Sequence, residues 1–395
     1  MIKKVSASKL KIGMYIYDLD LVWANHPFEW QCFTIEDADM LGKIAAAGIA
    51  EVEIDTEQGI DTDQDMGTEN HSEQSNHVPS LLANLSPAGQ FDHAKKLYAN
   101  ASKLMEDLMK DVRSGKQVDV APCEPVVDSI LDSMYHFPSA FLPLAQMKSR
   151  DEYTFQHSVS VSALAVAFGK VLNMPREEIK ELAMGGLLHD VGKAKVPGRI
   201  LNKPGKLDDA EFSVMKHHAT DTADLLNNVT GISEIAFNAA SQHHERYDGT
   251  GYPLRLKGDE ISLHGQMLAI VDVYDAITSI RVYHKGMPPT EALRKMYEWS
   301  GAHFNPKLVQ AFIKGIGIYP AGSLVRLDSE QLGIVRKVMP DNLLQPVVQL
   351  IYDCKKHCAI YPLTVDLSAS DNKIKSHESF EKWGIDQAKW SLAYA

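Results

Sequence analysis

The chain has 395 residues, of which 45% are hydrophobic and 23% charged, a composition typical of folded proteins and sufficient for several domains. Its formal net charge of −12 argues against broad nucleic-acid binding, because a surface that neutralises phosphates along a duplex is basic. The sequence contains neither an apolar N-terminal leader nor a run of about 18 apolar residues, so it predicts a cytoplasmic protein that does not enter the membrane.

Residues 1–55 predict a small α/β domain. Strand-like runs at 14–17 and 52–54 flank a helical stretch from Ile35 to Ala47, whose apolar residues recur at helical spacing. Residues 56–85 are polar and acidic and carry few large apolar side chains. They therefore predict an acidic flexible linker.

Residues 86–148 predict connecting helices, the first of which begins with Ser86 as its N-cap and Pro87 in its first turn. Its apolar residues alternate between steps of three and four, which gives a narrow seam. The residues of this seam are Phe91, Ala94, Tyr98, Ala101, Met105, Leu108 and Val112. The seam has two interpretations, which are packing within the bundle of its own subunit and a homodimer through residues 86–113.

Residues 149–316 predict a helical domain, and residues 317–395 a β-rich segment and tail. Runs at 324–327, 334–338 and 347–352 predict a small antiparallel sheet. The fold class is therefore multidomain α+β, mainly an all-α bundle. Cys354, His357 and Cys358 offer three zinc ligands without a fourth, and thiols packed beside a strand are the alternative.

Metal-binding residue types concentrate in the helical domain. Taken singly, a histidine or a His-Asp pair is more often a surface or satisfied core feature, as we interpret His217, His264, His284 and His303. A larger set near the ends of apolar helices is harder to dismiss, because buried ionisable groups need a compensating partner. That set is His157, His189, Asp190, His218, His243, His244 and Asp272.

Five imidazoles and two carboxylates exceed the ligands that one transition-metal ion uses, so the residues predict a two-metal centre with Asp190 as the candidate bridge. His217 and His218 follow a capping-box pattern at Asp208 and Glu211, which begins their helix. Adjacent helical residues point about 100° apart, so only one of the two histidines can face the site. The spacing alone does not choose between them.

Asp275 lies three residues after Asp272, on the same face of an otherwise apolar predicted helix. A buried carboxylate needs a metal, a histidine or an arginine as its partner. We therefore expect Asp275 to support the centre by contacting one of the ligands.

Two motifs carry a family resemblance. The stretches from His189 to Lys193 (HDVGK) and from His243 to Pro253 (HHERYDGTGYP) resemble the two signatures of the HD-GYP family, a branch of the HD phosphohydrolases. The similarity covers about residues 150–312 and implies an HD-type helical bundle. Residues 1–55, with Trp23 and the run from His26 to Phe28, resemble the small domain of unknown function that often precedes HD-GYP domains.

The resemblance implies a phosphodiesterase that hydrolyses cyclic dinucleotides, chiefly cyclic di-GMP to linear pGpG and often on to GMP, by means of a metal-bridging hydroxide. It implies iron or manganese, with nickel or zinc as alternatives that also suit the ligand types. It also selects His218 over His217. One ion is then expected on His157, His189, Asp190 and Asp272, and the other on Asp190, His218, His243 and His244.

The same resemblance implies roles around the ligands. Asp190 and Lys193 are expected to be catalytic, with Lys193 also meeting a phosphate oxygen, and Arg281 is expected to clamp phosphate. The alternatives are a solvated lysine at a helix end and a surface arginine. Tyr252 is expected to stack on or hydrogen-bond the ligand.

The loop that carries Tyr252 has two competing explanations. Gly249 and Gly251 permit its tight backbone, and Pro253 follows Tyr252 directly. Family members use this loop for ligand contact and also for docking diguanylate cyclase (GGDEF) domains. Both a cyclic dinucleotide and a GGDEF protein are therefore predicted partners.

The chain departs from the family pattern at two positions. Members with three metals carry a glutamate one helical turn before the first histidine ligand, where this sequence has Tyr153, with Glu152 rotated off that face. We therefore predict two metals and do not expect the step from pGpG to GMP. A basic residue that some members have three positions after the arginine is His284 here.

Cyclic di-GMP is the leading substrate, and 3′3′-cGAMP (cyclic GMP-AMP) is the alternative because the metal ligands do not read the bases. A non-catalytic cyclic-dinucleotide receptor or GGDEF-binding module is the second alternative. It is disfavoured because no ligand of the set is missing. An HD phosphohydrolase acting on an ordinary nucleotide is disfavoured by the long second motif.

Overall fold

The computed structural model describes residues 2–19, 33–35, 37–46, 49, 51–56, 59–60, 87–146, 153–227, 229–279, 286–339 and 342–386. Glu152, Arg281, His284, the motif residues 23–28 and most of the predicted linker lie outside the described residues, and for Tyr153 only the backbone is described. The chain forms two compact units, one of residues 1–78, 324–335 and 347–378 and one of residues 79–323, 336–346 and 379–395. The predicted domain boundaries at 55, 85, 148 and 316 stay a prediction.

The first unit contains two antiparallel sheets. The four-stranded sheet has the order β1-β4-β2-β3 and is accompanied by helix α1, Ala38–Ala46. Its strands are β1 Ile2–Ser6, β2 Tyr15–Asp18, β3 Phe33–Thr34 and β4 Glu51–Asp55. The five-stranded sheet has the order β8-β7-β6-β5-β9. Its strands are β5 Leu324–Leu327, β6 Gln331–Lys337, β7 Val347–Asp353, β8 Cys358–Asp366 and β9 Ile374–Glu378.

The two sheets belong to one unit although most of the chain separates them. Tyr361 of β8 packs against the apolar core of the N-terminal sheet, and the ammonium of Lys356 lies 4.6 Å from the ring centroid of Tyr17. Cys354 and Cys358 are buried thiols, as expected for cysteines beside a strand. The predicted C-terminal sheet is therefore present and is part of the same unit as the N-terminal α/β fold.

The second unit is helical. Its longer helices are α2 Pro87–Arg113, α3 Glu124–His136, α4 Pro138–Gln146, α5 Tyr153–Val171, α6 Arg176–Leu188, α8 Asp209–Leu226, α9 Glu234–Gln242, α10 Leu263–Thr278, α11 Pro289–Glu298 and α12 Pro306–Ile316. The short helices are α7 Gly198–Leu201 and α13 Phe380–Trp383, and a 3₁₀ turn spans Val191–Lys195. Together the two units confirm the multidomain α+β fold class. None of the helices in the described ranges is long and apolar enough to cross a membrane.

Local signals place the helices that carry the site. The capping box is confirmed, because the Asp208 carboxylate accepts the Glu211 N–H at 2.9 Å and the Glu211 carboxylate accepts the Asp208 N–H at 2.9 Å. Helix α9 begins at Glu234, because the Ser233 hydroxyl caps it by accepting the Ala236 N–H at 3.1 Å.

Helix α5 lies at the centre of the helical unit and is buried on nearly every side, as for a helix that packs against neighbours all round. The apolar seam of α2 is buried against this core within the same chain. The Tyr98 hydroxyl on that seam donates a hydrogen bond to the Gln156 carbonyl at 2.9 Å. Of the two interpretations of the seam, packing in its own bundle is therefore the one observed, and the Tyr98 hydrogen bond ties α2 to α5 at Gln156, the residue before His157.

Candidate metal centre

The seven predicted ligands lie together among five helices. His157 is in the second turn of α5, His189 and Asp190 directly follow α6, and the others come from α8, α10 and the end of α9. Six of the seven residues are buried, and only His244 is partly exposed. Their donor atoms form three overlapping groups, within each of which all atoms lie within 4.8 Å of one another. Helices that are separate in sequence thus converge on one small polar volume.

Backbone and carboxylate acceptors fix the tautomer of four imidazoles. The Nδ1–H groups of His189, His218 and His243 donate to the carbonyls three residues earlier in the chain, at 2.8, 2.6 and 2.6 Å. The Nδ1–H of His157 donates to the Asp275 carboxylate at 2.5 Å. A ring that donates from Nδ1 keeps the lone pair on Nε2, which is the form that binds a metal. In their neutral forms these four rings therefore present Nε2 as the ligand atom.

The two carboxylates divide the centre into two halves. Asp190 Oδ2 lies 3.3 Å from His189 Nε2, whereas Asp190 Oδ1 lies 3.4 Å from His218 Nε2. Asp272 Oδ1 lies 3.0 Å from His157 Nε2 and 3.8 Å from His189 Nε2. Asp190 thus presents one oxygen to each half of the centre.

The polar atoms at the centre fit a bound cation. His189 Nε2, Asp190 Oδ1 and His243 Nε2 are buried and have no hydrogen-bond partner among the described residues, and each such atom costs about 1–3 kcal/mol. His244 Nε2 faces His218 Nε2 at 3.0 Å, so two ring nitrogens point at each other. Ligands bonded at about 2.1 Å and at right angles lie roughly 3 Å apart, close to the 3.0–3.4 Å separations here. A bound divalent cation would satisfy these atoms.

The protonation states also suit a metal. Burial opposes ionisation of Asp190, yet the adjacent Lys193 ammonium and imidazoles hold the pKa of this carboxyl well below its usual range. Burial lowers the pKa of His218 and His244. Burial, together with the charge of the His189 ring, lowers the pKa of His243 to about 3. Ionised carboxylates and neutral imidazoles are the forms that ligate, so these groups need lose no proton near neutral pH.

The pKa values of His189 and Asp272 are also shifted by the charges around them. Burial lowers the pKa of His189, but Asp190 and Asp272 outweigh this effect and leave that pKa raised. The pKa of Asp272 is held well below its usual range against the effect of burial, chiefly by His157. The half of the centre that contains both carboxylates is therefore the more negative half, where positive charge is most favoured.

Glu245 anchors the loop that follows the second motif, a role that the sequence reasoning missed. Its side chain is 1% exposed, and its carboxylate accepts the N–H groups of Leu254, Arg255 and Leu256 at 2.6, 3.1 and 3.1 Å. Burial raises the pKa of this carboxyl, while the three N–H donors act in the opposite direction. Its position in the second motif, directly after His243 and His244, is the sequence signal that could have indicated this role.

The loop holds Tyr252 beside the centre. The Tyr252 N–H donates to the His244 carbonyl at 3.2 Å, and the two rings lie 4.7 Å apart between centroids. A side chain on Gly251 would put its Cβ within 2.5 Å of the Glu245 Cα, so only glycine fits at this close approach. Gly249 has φ +86°, in the left-handed region that favours glycine, and the Tyr252–Pro253 peptide is cis.

All but one of the other predicted site residues lie within the described part of the chain. The Lys193 ammonium pairs with Asp190, and Asp275 bonds to His157. His217 is exposed on α8 while His218 is buried, and His264 bonds to Glu178 at 2.7 Å. Arg281 lies outside the described residues.

Two further residues beside the centre were not found from the sequence. The Thr222 hydroxyl accepts the Gly192 N–H at 3.0 Å and donates to the His189 carbonyl at 3.0 Å, which ties the first motif to α8. The Lys216 ammonium lies 5.9 Å from the centroid of the Tyr252 ring. Thr222 follows His218 by four residues, but that spacing alone identifies no contact with another helix.

A helical unit with a buried His/Asp centre of this kind defines a metal-dependent phosphohydrolase of the HD class. The sequence family of the HD domain matches residues 143–308 of this chain. The family of a domain of unknown function, DUF3391, matches residues 2–123. A cyclic di-GMP phosphodiesterase of Pseudomonas aeruginosa is 37% identical over 98% of this chain and 94% of its own length. The chain belongs to the HD-GYP family of cyclic-dinucleotide phosphodiesterases and is a hydrolase.

Two relatives match a shorter part of the chain. A cyclic di-GMP phosphodiesterase of Thermotoga maritima is 37% identical over 42% of this chain and 45% of its own length. The 3′3′-cGAMP-specific phosphodiesterase 1 of Vibrio cholerae is 39% identical over 40% of this chain and 36% of its own length. Relatives with two different named substrates thus share a similar identity to this chain.

Proposed function

We propose that this protein hydrolyses cyclic di-GMP to linear pGpG at the seven-residue centre. The observation that carries the proposal is Asp190, whose two oxygens face different imidazoles across the centre. A relative that matches nearly the whole chain is a cyclic di-GMP phosphodiesterase, which supports this substrate over others.

The two halves of the centre suggest two ions. When bound, such ions lower the pKa of a shared water and polarise a phosphate oxygen. Iron or manganese is the proposed metal, with nickel or zinc as alternatives for this donor set. We assign one ion to His157, His189, Asp190 and Asp272, and the other to Asp190, His218, His243 and His244.

The chain's own groups would orient the substrate. Lys193 is already paired with Asp190, so its ammonium lies next to the centre and would exchange this contact for a phosphate oxygen. Tyr252 stands beside His244 with its backbone hydrogen-bonded, so its ring presents a fixed surface to a base. Arg281 is proposed as a further phosphate ligand on the family resemblance alone.

The product is proposed to be pGpG because the carboxylate expected for a third ion is replaced by Tyr153. A phenol is not ionised at neutral pH and is a poor substitute for that carboxylate. We therefore propose that little GMP forms.

Cyclic GMP-AMP is the second candidate substrate. The observation that favours it is the 39% identity to a 3′3′-cGAMP-specific phosphodiesterase over the region of the centre. A receptor without turnover is less favoured, because all seven ligand positions are filled by suitable residues.

Two protein partners are proposed. A GGDEF-domain protein would contact the loop of Gly249, Gly251, Tyr252 and Pro253, where the exposed Leu254 adds an apolar side chain. A homodimer through residues 86–113 would have to use the outer face of α2, because the apolar seam is covered by the same chain.

The test is a turnover assay with cyclic di-GMP and cyclic GMP-AMP side by side, on protein whose iron and manganese content is measured. We expect faster turnover of cyclic di-GMP, with pGpG as the accumulating product on chromatography. Loss of both activities from metal-loaded protein would refute the proposal, and accumulation of GMP would refute the product assignment.

Asp190→Ala separates the centre from general effects on folding. Because this carboxylate faces both halves, we expect turnover of either substrate to fall at least about 1,000-fold, with loss of bound metal. Asp224→Ala removes an exposed carboxylate from α8 and is the matched control, with turnover expected to stay unchanged. Normal turnover in Asp190→Ala would overturn the bridging assignment.

A further inference from the structure

The helical unit contains a second cavity, separate from the metal ligands. It has a volume of about 470 Å³ and is bounded by α3, α4, α5, α10, α12 and residues 336–338. None of the seven proposed metal ligands is among the described residues that line it. Small-molecule sites usually have volumes of roughly 300–1,000 Å³, so this cavity is large enough for a ligand.

Most of the cavity wall is apolar. Leu142, Leu164, Ile316 and Val338 line it from four different segments. Such a wall favours a hydrocarbon body, since removing apolar surface from water drives binding.

The polar part of the wall is positively charged. Lys170 and Arg336 both line the cavity, and the Lys170 ammonium also donates to the Met134 carbonyl at 2.8 Å. Burial lowers the pKa of both cations, and that of Arg336 only to about 10, so its guanidinium stays charged at neutral pH. Asp275 is the carboxylate among the described lining residues, and it accepts a hydrogen bond from His157. The wall therefore complements a ligand with one negative charge.

We propose that this cavity binds a small amphipathic carboxylic acid, a medium-chain fatty acid or a molecule of that shape, and that its binding strengthens metal binding at the centre. The hydrocarbon body would lie against the apolar wall, and the carboxylate would meet Lys170 and Arg336. Charge-assisted hydrogen bonds of this type are stronger than neutral ones and give specificity for an acid.

Asp275 connects the cavity to the metal centre. Its side chain is 3% exposed, it lines the cavity, and its Oδ2 lies 2.5 Å from His157 Nδ1. A negative charge bound in this low-dielectric interior favours positive charge at the nearby centre. Linkage then requires that the metal and the acid raise each other's affinity by the same factor. This coupling rests on the proposed function only in requiring that the centre bind metal.

The binding test uses metal-free full-length protein and three probes of one chain length: decanoate, decanol and decyltrimethylammonium. By isothermal titration calorimetry we expect one decanoate per chain, bound at least about tenfold more tightly than decanol, and no binding of the cation. The absence of saturable decanoate binding, or equal affinity for decanol, would overturn the proposal.

Substitutions locate the site. Lys170→Met and Arg336→Met should each weaken decanoate at least about tenfold, whereas Lys314→Met, an exposed lysine of α12 outside the cavity, should not change its affinity. Ala321→Trp places a large side chain in the cavity from a turn and should abolish binding. Thermal melting of each variant shows that it is folded. Wild-type affinity in folded Ala321→Trp would exclude this cavity as the site.

The coupling test measures manganese affinity by competition with a fluorescent chelator, with and without saturating decanoate. We expect about three- to tenfold tighter manganese binding with decanoate. We also expect no change in Ala321→Trp. Unchanged or weaker manganese affinity in the wild-type protein would refute the coupling. Absence of cyclic-dinucleotide turnover, with decanoate and manganese binding intact, would instead refute only the proposed function.

Discussion

Glu245→Gln tests whether a buried carboxylate holds the loop that carries Tyr252 in place. The three N–H groups of Leu254, Arg255 and Leu256 converge on the two carboxylate oxygens. A glutamine keeps one acceptor oxygen and turns an NH₂ group towards an N–H donor. Losing a hydrogen bond to a charged group and leaving that donor unpaired costs about 1.5–3 kcal/mol, which lowers the opening free energy of the loop by that amount.

The magnitude can be measured by amide hydrogen exchange. A loss of about 1.5–3 kcal/mol speeds exchange of these three amides roughly 10- to 150-fold, because each 1.4 kcal/mol is a factor of ten. We expect a higher KM for cyclic di-GMP, since the loop carries Tyr252, and unchanged metal content. Glu298→Gln, an exposed position on α11, is the matched control. Wild-type exchange rates at Leu254 and its neighbours in the Gln variant would refute the role assigned to Glu245.

Three further predictions concern the loop, the protonation of a buried histidine and the lysine at the centre. Gly251→Ala should raise KM and lower the melting temperature, because its Cβ would overlap the Glu245 backbone, whereas Gly198→Ala, with open space around it, should change neither. Burial lowers the pKa of His303 to about 4, so at this residue the unfolded chain binds more protons between about pH 4 and 6.5. His218, His243 and His244 act in the same direction, and the share of His303 in the loss of stability should be about 2–3 kcal/mol, so over this window the unfolding free energy of metal-free protein in urea should fall by about that much less in His303→Gln. Lys193→Met should lower kcat about 10- to 100-fold with metal content retained, while Lys195→Met should not, and equal effects of the two would refute a phosphate contact by Lys193.

Local signals predicted the helical elements well. The sequence predicted the capping box of Asp208 and Glu211 because both partners lie within one helical turn. The apolar steps of α2 predicted its helix but not its neighbour, because the bond from Tyr98 to Gln156 joins residues 58 positions apart. The presence of the N- and C-terminal sheets in one unit was not predicted for the same reason, since no local pattern marks the contact of Tyr361 with the N-terminal core.

The sequence predicted which residues are candidate ligands, because their types bind metals, but it did not predict how these residues are arranged. Spacing left His217 and His218 as equal candidates, and the family resemblance selected the histidine that is buried. The support around the ligands was harder to foresee, because Thr222 and Glu245 act through backbone groups of other segments. A sequence pattern identifies a side chain that contacts an ion more readily than one that contacts a distant N–H or carbonyl.

Four of the candidate ligand histidines differ in what holds their tautomers, and this difference bears on regulation. His189, His218 and His243 donate to carbonyls three residues back, so their own local backbone keeps Nε2 as the ligand atom. His157 instead donates to the carboxylate of Asp275, a side chain on another helix that also lines the second cavity. A change in that cavity can therefore act on His157 without unfolding a helix, whereas the other three rings are tied to their local backbone. For this reason a ligand in the cavity should alter metal affinity chiefly in the half of the centre that contains His157.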